Sequence, residues 1–199
     1  KSFQIISKYR PSLNGISIAD QLEKSLSDLN ISSLYGYLAH DPKGLIDNPQ
    51  EWDQLKKFKN QGKIQKIGYS LNEPQEIDAL LELNCIPDLV QLPYNYFDRR
   101  FESHFNKLKN LKCEIHTRSV FFQGLFFVDV EELGEFFDPI KQDIISLQKS
   151  PDFSSGSLLR FVLDNPFINR VIIGVESEEQ LKVNLSTIKT AKSLPDYQR

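Results

Sequence analysis

A parallel α/β barrel, (β/α)8 in type, is the fold class the sequence predicts, and three observations carry it. Short apolar runs rich in β-branched residues alternate with longer amphipathic stretches. The strand-then-helix unit recurs about every 25 to 35 residues, roughly six times, as parallel strands joined by crossover helices require. No glycine-rich dinucleotide fingerprint follows the first strand, which counts against the rival doubly wound open sheet. A closed barrel has eight such units. The expectation is therefore a barrel whose first two βα units lie outside these 199 residues, with 1–199 forming one incomplete barrel domain.

The elements follow in order. Phe3-Gln4-Ile5-Ile6-Ser7 is short and β-branched, a strand that stops at Lys8 before a loop bearing Pro11. Ile18, Leu22, Leu26 and Leu29 recur at helical spacing and predict a helix over 18–29. Leu34 to His40 is apolar again and stops at Asp41-Pro42. A polar helix over 51–60 closes on Gly62, a natural C-terminal stop. Strands are expected at 64–70, 89–92, 113–119 and 171–173, and helices from Pro74 to Leu83, over 101–111, 131–148, 158–163 and 178–191.

Composition narrows the function classes. Hydrophobic residues are 40% and charged residues 26% of the chain, the balance of a soluble globular protein. A net charge of −3 with no basic stripe recommends neither nucleic acid nor an anionic membrane as partner. No apolar run is long enough for a spanning helix, and no secretory signal opens the chain. Cys85 and Cys113 are too few for a disulfide framework and predict buried free thiols, so the expected location is the cytoplasm. Three scattered histidines give no metal-ligand pattern, and no metal is expected.

In parallel α/β folds functional side chains gather where strands end and loops open. The polar residues at those places are Lys8, His40, Ser70, Gln91, Arg118 with Ser119, and Gly174 with Glu176. A lysine and a histidine on successive strand ends make a chemically useful pair. The ammonium lowers the pKa of a nearby acid, and the imidazole can hydrogen-bond a carbonyl. Each residue also has a plain reading: a solvated lysine, a histidine before a turn, a glutamine capping backbone groups. His104 reads as a surface residue of a helix and His116 as a core histidine.

Taken together, these stretches resemble the aldo-keto reductase superfamily, in its order and across the whole chain. Residues 3–8 look like its third barrel strand with the catalytic lysine, and Leu38-Ala39-His40-Asp41-Pro42 like the fourth, ending in the catalytic histidine. Gly62-Lys63-Ile64 through Gly68-Tyr69-Ser70 is similar to the fifth strand, and Val90-Gln91-Leu92-Pro93-Tyr94-Asn95 to the sixth. Arg118-Ser119 through Gln123-Gly124-Leu125 resembles the seventh strand and its phosphate loop. Ile173-Gly174-Val175, with Gln180, Leu181 and Asn184, resembles the eighth strand and the helix after it.

The resemblance implies an oxidoreductase that passes hydride between NADP(H) or NAD(H) and a small carbonyl or alcohol substrate. Lys8 takes the lysine role, lowering the pKa of a tyrosine acid, and His40 orients the substrate. Ser70 and Gln91 would hold the nicotinamide carboxamide. Ser119, Phe121 and Gly124 would approach the pyrophosphate, largely through backbone amides. Gly174 is also counted as cofactor-binding, and Gln180 and Asn184 would face the adenosine end.

Departures from the pattern are informative. The aspartate and tyrosine of the family's tetrad belong to the first two units, and no tyrosine here takes the acid role by motif match. The chain has no methionine, and an open barrel would expose a long parallel edge, so an upstream portion is expected, and an Asp and a Tyr within it would favour the enzyme. Leu71 stands where an asparagine is frequent, and Arg118 where many members stack an aromatic ring on the nicotinamide. A guanidinium plane can stack there too. Glu176 sits where a basic residue often grips the 2′-phosphate of NADP, leaving NADP against NAD open. The alternative to an enzyme is a non-catalytic cofactor-binding or regulatory barrel of the same family.

Overall fold

Strand and helix alternate because the sequence alternates periods, and the computed structural model, which describes residues 3–11 and 15–195, shows how each pair is fixed. Two compact units are distinguished, one holding the residues up to Leu92 with Arg100–His116, the other Pro93–Arg99 and everything from Thr117 on.

In the first unit β1 (Ile6–Tyr9), β2 (Leu34–Ala39), β3 (Ile64–Ser70), β4 (Leu89–Pro93) and β5 (Glu114–Arg118) lie side by side in chain order. The pairings β1–β2, β2–β3 and β3–β4 are parallel. Helices return the chain between them: α1 (Ile18–Leu29), α2 (Pro42–Asp47), α3 (Glu51–Asn60), α4 (Pro74–Glu82) and α5 (Glu102–Asn110). In α1 the buried residues Ile18, Leu22 and Leu26 fall at i, i+4 and i+8, one stripe on one face. Each such burial contributes about 1.5 to 3 kcal/mol. The Ser17 hydroxyl accepts from Asp20 N–H at the start, and Asn30 closes the helix in the left-handed region at φ 51°. In α3 the acids Glu51 and Asp53 sit in the first turn and Lys57 and Lys59 in the last, matching the helix dipole. At the start of α4, Glu76 reaches back to accept from the N–H groups of Asn72 and Glu73, at 2.7 and 2.9 Å.

In the second unit the short strand β6 (Arg170–Val171) follows the end of β5, with Ile172 N–H donating to Thr117 O at 2.8 Å. Helices α6 (Asp138–Gln148), α7 (Ser155–Leu163) and α8 (Glu178–Thr190) complete it. Leu125, Val130 and Ile144 form a buried cluster against which Phe97, Phe122, Leu133, Phe137, Ile140 and Ile145 pack.

The predicted bounds hold to a residue or two for most elements and shift in four places, one of them α7, which starts at Ser155 rather than 158 because Ser154 and Ser157 cap it reciprocally. The first strand is Ile6–Tyr9, not 3–7, because the ladder with β2 begins at Ile6↔Gly36 and leaves Phe3 exposed. Lys8 is thus inside the strand, not after it. The expected helix over 131–148 is a helix only from Asp138. Before it lie 3₁₀ turns at Val130–Glu132 and Glu135–Phe137 separated by Leu133 and Gly134, both extended. Glycine is costly inside a helix, and Pro139 suits only a first turn. The last strand is Arg170–Val171, not 171–173.

Candidate functional site

Register decides which side chains meet. Paired residues of parallel strands share a face, and alternate residues along a strand return to it. Lys8 pairs with Leu38, Leu38 with Gly68, and Gly68 with Leu89. Two residues further on, Ser70 pairs with Gln91 on the same face. Here Lys8 Nζ donates to Ser70 Oγ at 3.0 Å and to Gln91 Oε1 at 2.6 Å. Ser70 and Gln91 are 4% and 6% exposed, so these charge-assisted bonds are largely withdrawn from water. Three predicted site residues, 62 and 83 positions apart from Lys8, therefore form one cluster. The backbone beneath it is tight: a Cβ on Gly68 would overlap the Leu89 carbonyl oxygen. His40 follows β2 directly, continues the ladder by donating from its N–H to Tyr9 O at 2.8 Å, and is exposed.

The opposite face is apolar and aromatic. Tyr9 and Tyr69 both pair with Ala39, and Tyr37 pairs with Ser7 and Ile67. Burial pushes the hydroxyls of all three well above the ordinary tyrosine range. Tyr9 and Tyr37 lie with ring centroids 5.2 Å apart, and Tyr69 with Trp52 at 6.0 Å. None of these three shares the face of Lys8.

At the N-terminal ends of the strands a second polar group forms around Glu114. Its carboxylate accepts from Tyr35 Oη at 2.8 and 2.9 Å and from Lys66 Nζ at 2.8 Å, and His116 Nε2 lies 3.1 Å away. Burial alone would raise the Glu114 pKa, but the hydrogen bonds from Lys66, Tyr35 and His116 outweigh it and hold the carboxyl below its usual value. His116 is wholly buried, as expected of a core histidine, yet it is paired with a carboxylate that sequence reading gave no role. His104 is largely covered, with its Nε2 3.2 Å from Asp78 Oδ2.

The second unit holds the other predicted residues. Arg118 Nη1 donates to Ser119 Oγ at 3.3 Å. After it the backbone turns repeatedly into the left-handed region, at Ser119 (φ 62°), Phe122 (φ 50°), Gln123 (φ 56°) and Gly124 (φ 86°). Successive amides in such turns form concavities suited to anions. Ser119 O accepts from Phe122 N–H at 2.9 Å, and Phe121 O accepts from Gly124 N–H at 2.9 Å. Asn95, not assigned a role from sequence, ties this loop down. Its Nδ2 donates to Ser119 O at 3.0 Å, and its Oδ1 accepts from Phe97 and Asp98 N–H at 3.0 and 2.9 Å. The one signal for it in the sequence is a polar residue just past a strand end. Gly174 and Gln180 are exposed, and Asn184 is the buried residue of α8. The N–H of Glu176 donates to Gln180 Oε1 at 2.9 Å.

With this geometry in view, comparison with known proteins becomes decisive. The profile of the Aldo/keto reductase family matches residues 2–199. The chain belongs to the aldo/keto reductase family. The match runs through both units. Among solved structures, an aldo-keto reductase of Bacillus halodurans in its apo form is 21% identical with a TM-score of 0.81, covering 96% of this chain and 67% of that one. Its holo form gives 22% identity, a TM-score of 0.79, and 96% and 68% coverage. An aldo-keto reductase of Klebsiella pneumoniae in complex with NADPH gives 21% identity, a TM-score of 0.69, and 96% and 66% coverage. No curated protein sequence matches the chain. The alternation of parallel strands and helices is thus that of the (β/α)8 barrel of aldo/keto reductases, as the sequence predicts.

Against the family pattern, Leu71 is fully buried and donates from its N–H to Gln91 O at 2.7 Å. Arg100 Nη1 donates to Glu73 Oε1 at 2.7 Å. Both free cysteines are buried. Among the described residues no group of His, Cys, Asp and Glu is arranged to hold a metal, and no helix is long and apolar enough to cross a membrane.

Proposed function

We propose that this aldo/keto reductase family member is an NAD(P)H-dependent oxidoreductase acting on a small carbonyl or alcohol substrate. The observation that carries the reading is the Lys8–Ser70–Gln91 cluster on one sheet face. In the first unit Ser70 and Gln91 offer hydrogen-bonding groups that fit a carboxamide, and in the second the Arg118 guanidinium offers a plane for stacking. In the second unit the backbone amides around Ser119, Phe121 and Gly124 suit a pyrophosphate. Gly174, Gln180 and Asn184 take the adenosine end. The cofactor, when bound, supplies or removes the hydride. Lys8 would hold a neighbouring acid ionisable near neutral pH, and His40 would orient the substrate oxygen. Both NADP(H) and NAD(H) are candidates. The Glu176 carboxylate disfavours the 2′-phosphate of NADP, whereas the Klebsiella pneumoniae relative was solved with NADPH.

A second reading, a cofactor-binding barrel without turnover, is favoured by one observation. Tyr9, Tyr37 and Tyr69 all face away from Lys8, so none serves it as a proton donor. Fluorescence titration of the purified protein with NADPH and with NADH tests both. Binding of either, with oxidation on adding a panel of aldehydes and ketones, supports the enzyme. Binding without oxidation favours the second reading, and no binding of either cofactor removes both.

A further inference from the structure

Away from the sheet, a serine, a histidine and a carboxylate stand in series where α4 meets α5. Asp78 Oδ2 lies 3.2 Å from His104 Nε2, and Ser103 Oγ lies 3.0 Å from His104 Nδ1. Lys107 Nζ donates to the other Asp78 oxygen, Oδ1, at 2.7 Å. Hydrogen bonds from Lys107 and from His104 hold the Asp78 carboxyl below its usual pKa, so at neutral pH it is ionised and can only accept. The Nε2 facing it therefore carries the ring hydrogen. In the neutral imidazole that leaves a lone pair on Nδ1 to accept the hydroxyl hydrogen of Ser103.

A nucleophile, a base within hydrogen-bond reach and a third group that orients the base are the parts of an activated serine. A brace between the two helices would use Asp78, His104 and Lys107 but has no need of the hydroxyl. Ser103 is exposed, whereas the His104 side chain is only 15% exposed, so the hydroxyl is open to solvent while the ring is held. Ser103 also stands in the first turn of α5, where N–H groups lack acceptors within the helix and Phe101, at the N-cap, offers none from its side chain. Such amides favour negative charge developing beside the serine.

We propose that Ser103 and His104, with Asp78 as positioning residue, form a second reactive site that takes acyl groups from small aryl esters. Ser103 Oγ attacks the ester carbonyl carbon while its proton passes to His104 Nδ1. The tetrahedral adduct collapses, the bond to the aryl oxygen breaks, and the imidazolium gives its proton to the departing phenolate. Water then attacks the acyl-serine, His104 again takes the proton and returns it to Ser103 Oγ, and the carboxylic acid leaves. At an exposed helix start the protein has little binding energy to spend on a large substrate, so the leaving group must itself be good. The site shares no residue with the Lys8 cluster and stands apart from the cofactor reading.

The test is labelling with an ethyl fluorophosphonate, which phosphonylates activated serines with loss of fluoride, located by peptide mapping. Release of p-nitrophenolate from p-nitrophenyl acetate reports turnover. Wild-type protein is expected to be labelled at Ser103 at least about tenfold faster than at any other serine, and His104→Gln should slow that labelling about a hundredfold. In Asp78→Asn the amide oxygen stays with Lys107 and the NH2 faces Nε2, which reverses the ring tautomer and makes Nδ1 a donor. Labelling should then fall at least about tenfold although the helices remain bridged. Equal labelling of Ser103 and other exposed serines in the wild type overturns the proposal whether or not the variants fold. Undiminished labelling in His104→Gln overturns it too. Ester hydrolysis that persists in Ser103→Ala assigns the reaction to the imidazole or to lysines, and the acyl-serine is then wrong.

Discussion

In the first unit the site is made of side chains, Lys8, Ser70 and Gln91, delivered by three strands whose parallel register leaves them no other face to occupy. In the second it is made of backbone, a loop from Ser119 to Gly124 that repeatedly enters left-handed conformations and is pinned from below by Asn95. The contrast teaches where each is vulnerable. A strand-borne cluster fails when the sheet beneath it cannot close, whereas a backbone cradle fails when its few tethers are cut.

The largest effect is expected at the sheet. Gly68→Val places side-chain atoms on the Leu89 carbonyl and should cost about 3 kcal/mol or more. A urea midpoint shift corresponding to less than about 1 kcal/mol would show that β3 and β4 have slack the register does not reveal. Next comes the tether of the loop. Asn95 is buried, and Asn95→Ala takes the Oδ1 acceptor from the Phe97 and Asp98 N–H groups and one of two donors from Ser119 O, at a cost of about 2 to 3 kcal/mol. Unchanged thermal stability in that variant would mean the loop holds its shape by its own turns.

A smaller effect separates the two ends of the first unit. Glu114 is held below its ordinary 4.5 in the folded chain. Its stabilisation is therefore complete above that value and is lost as the pH falls through the lower folded pKa. Glu114→Gln should remove about 1 to 2 kcal/mol at neutral pH and flatten the acid limb of the stability curve. An acid limb identical to the wild type's would place the acid-sensitive carboxylates elsewhere. The smallest effect is expected for Arg100→Ala. Its pair with Glu73 is 44% and 58% exposed, and the change should stay within about 0.5 kcal/mol. A loss above about 1 kcal/mol would show that the loop after β4 is braced from the surface.

The same contrast explains what could be read in advance. Helix 18–29 and strand 64–70 are legible to the residue because their apolar spacing is regular and their ends carry Ser17, Asn30 and Gly62. The strand ends Lys8, Ser70 and Gln91 are legible as a group of polar residues at the right places in the chain order. Their contact is not, since it depends on register across three strands. β1 was misplaced because propensity sees Phe3 to Ser7, whereas pairing partners on β2 choose Ile6 to Tyr9. The loop after Ser119 defeats sequence reading for another reason. Phe122 and Gln123 adopt positive φ without being glycine, and no local rule assigns that to them. Glu114 was invisible as a hub because Tyr35 and Lys66 reach it from positions 79 and 48 residues away.

One ring described earlier gives the molecule a built-in reporter. Trp52 is the single indole in the sequence, it is 2% exposed, and it lies 6.0 Å from the ring of Tyr69, the residue before Ser70. Its emission therefore speaks for the first unit alone, and for the strand that delivers Ser70 in particular. Excited at the red edge of the ultraviolet band, the protein gives a signal to which the phenylalanine-rich second unit contributes nothing. Far-ultraviolet dichroism, by contrast, sums the helices of both. Whether those two optical signals fade together or apart on heating tells whether the two units melt in a single event.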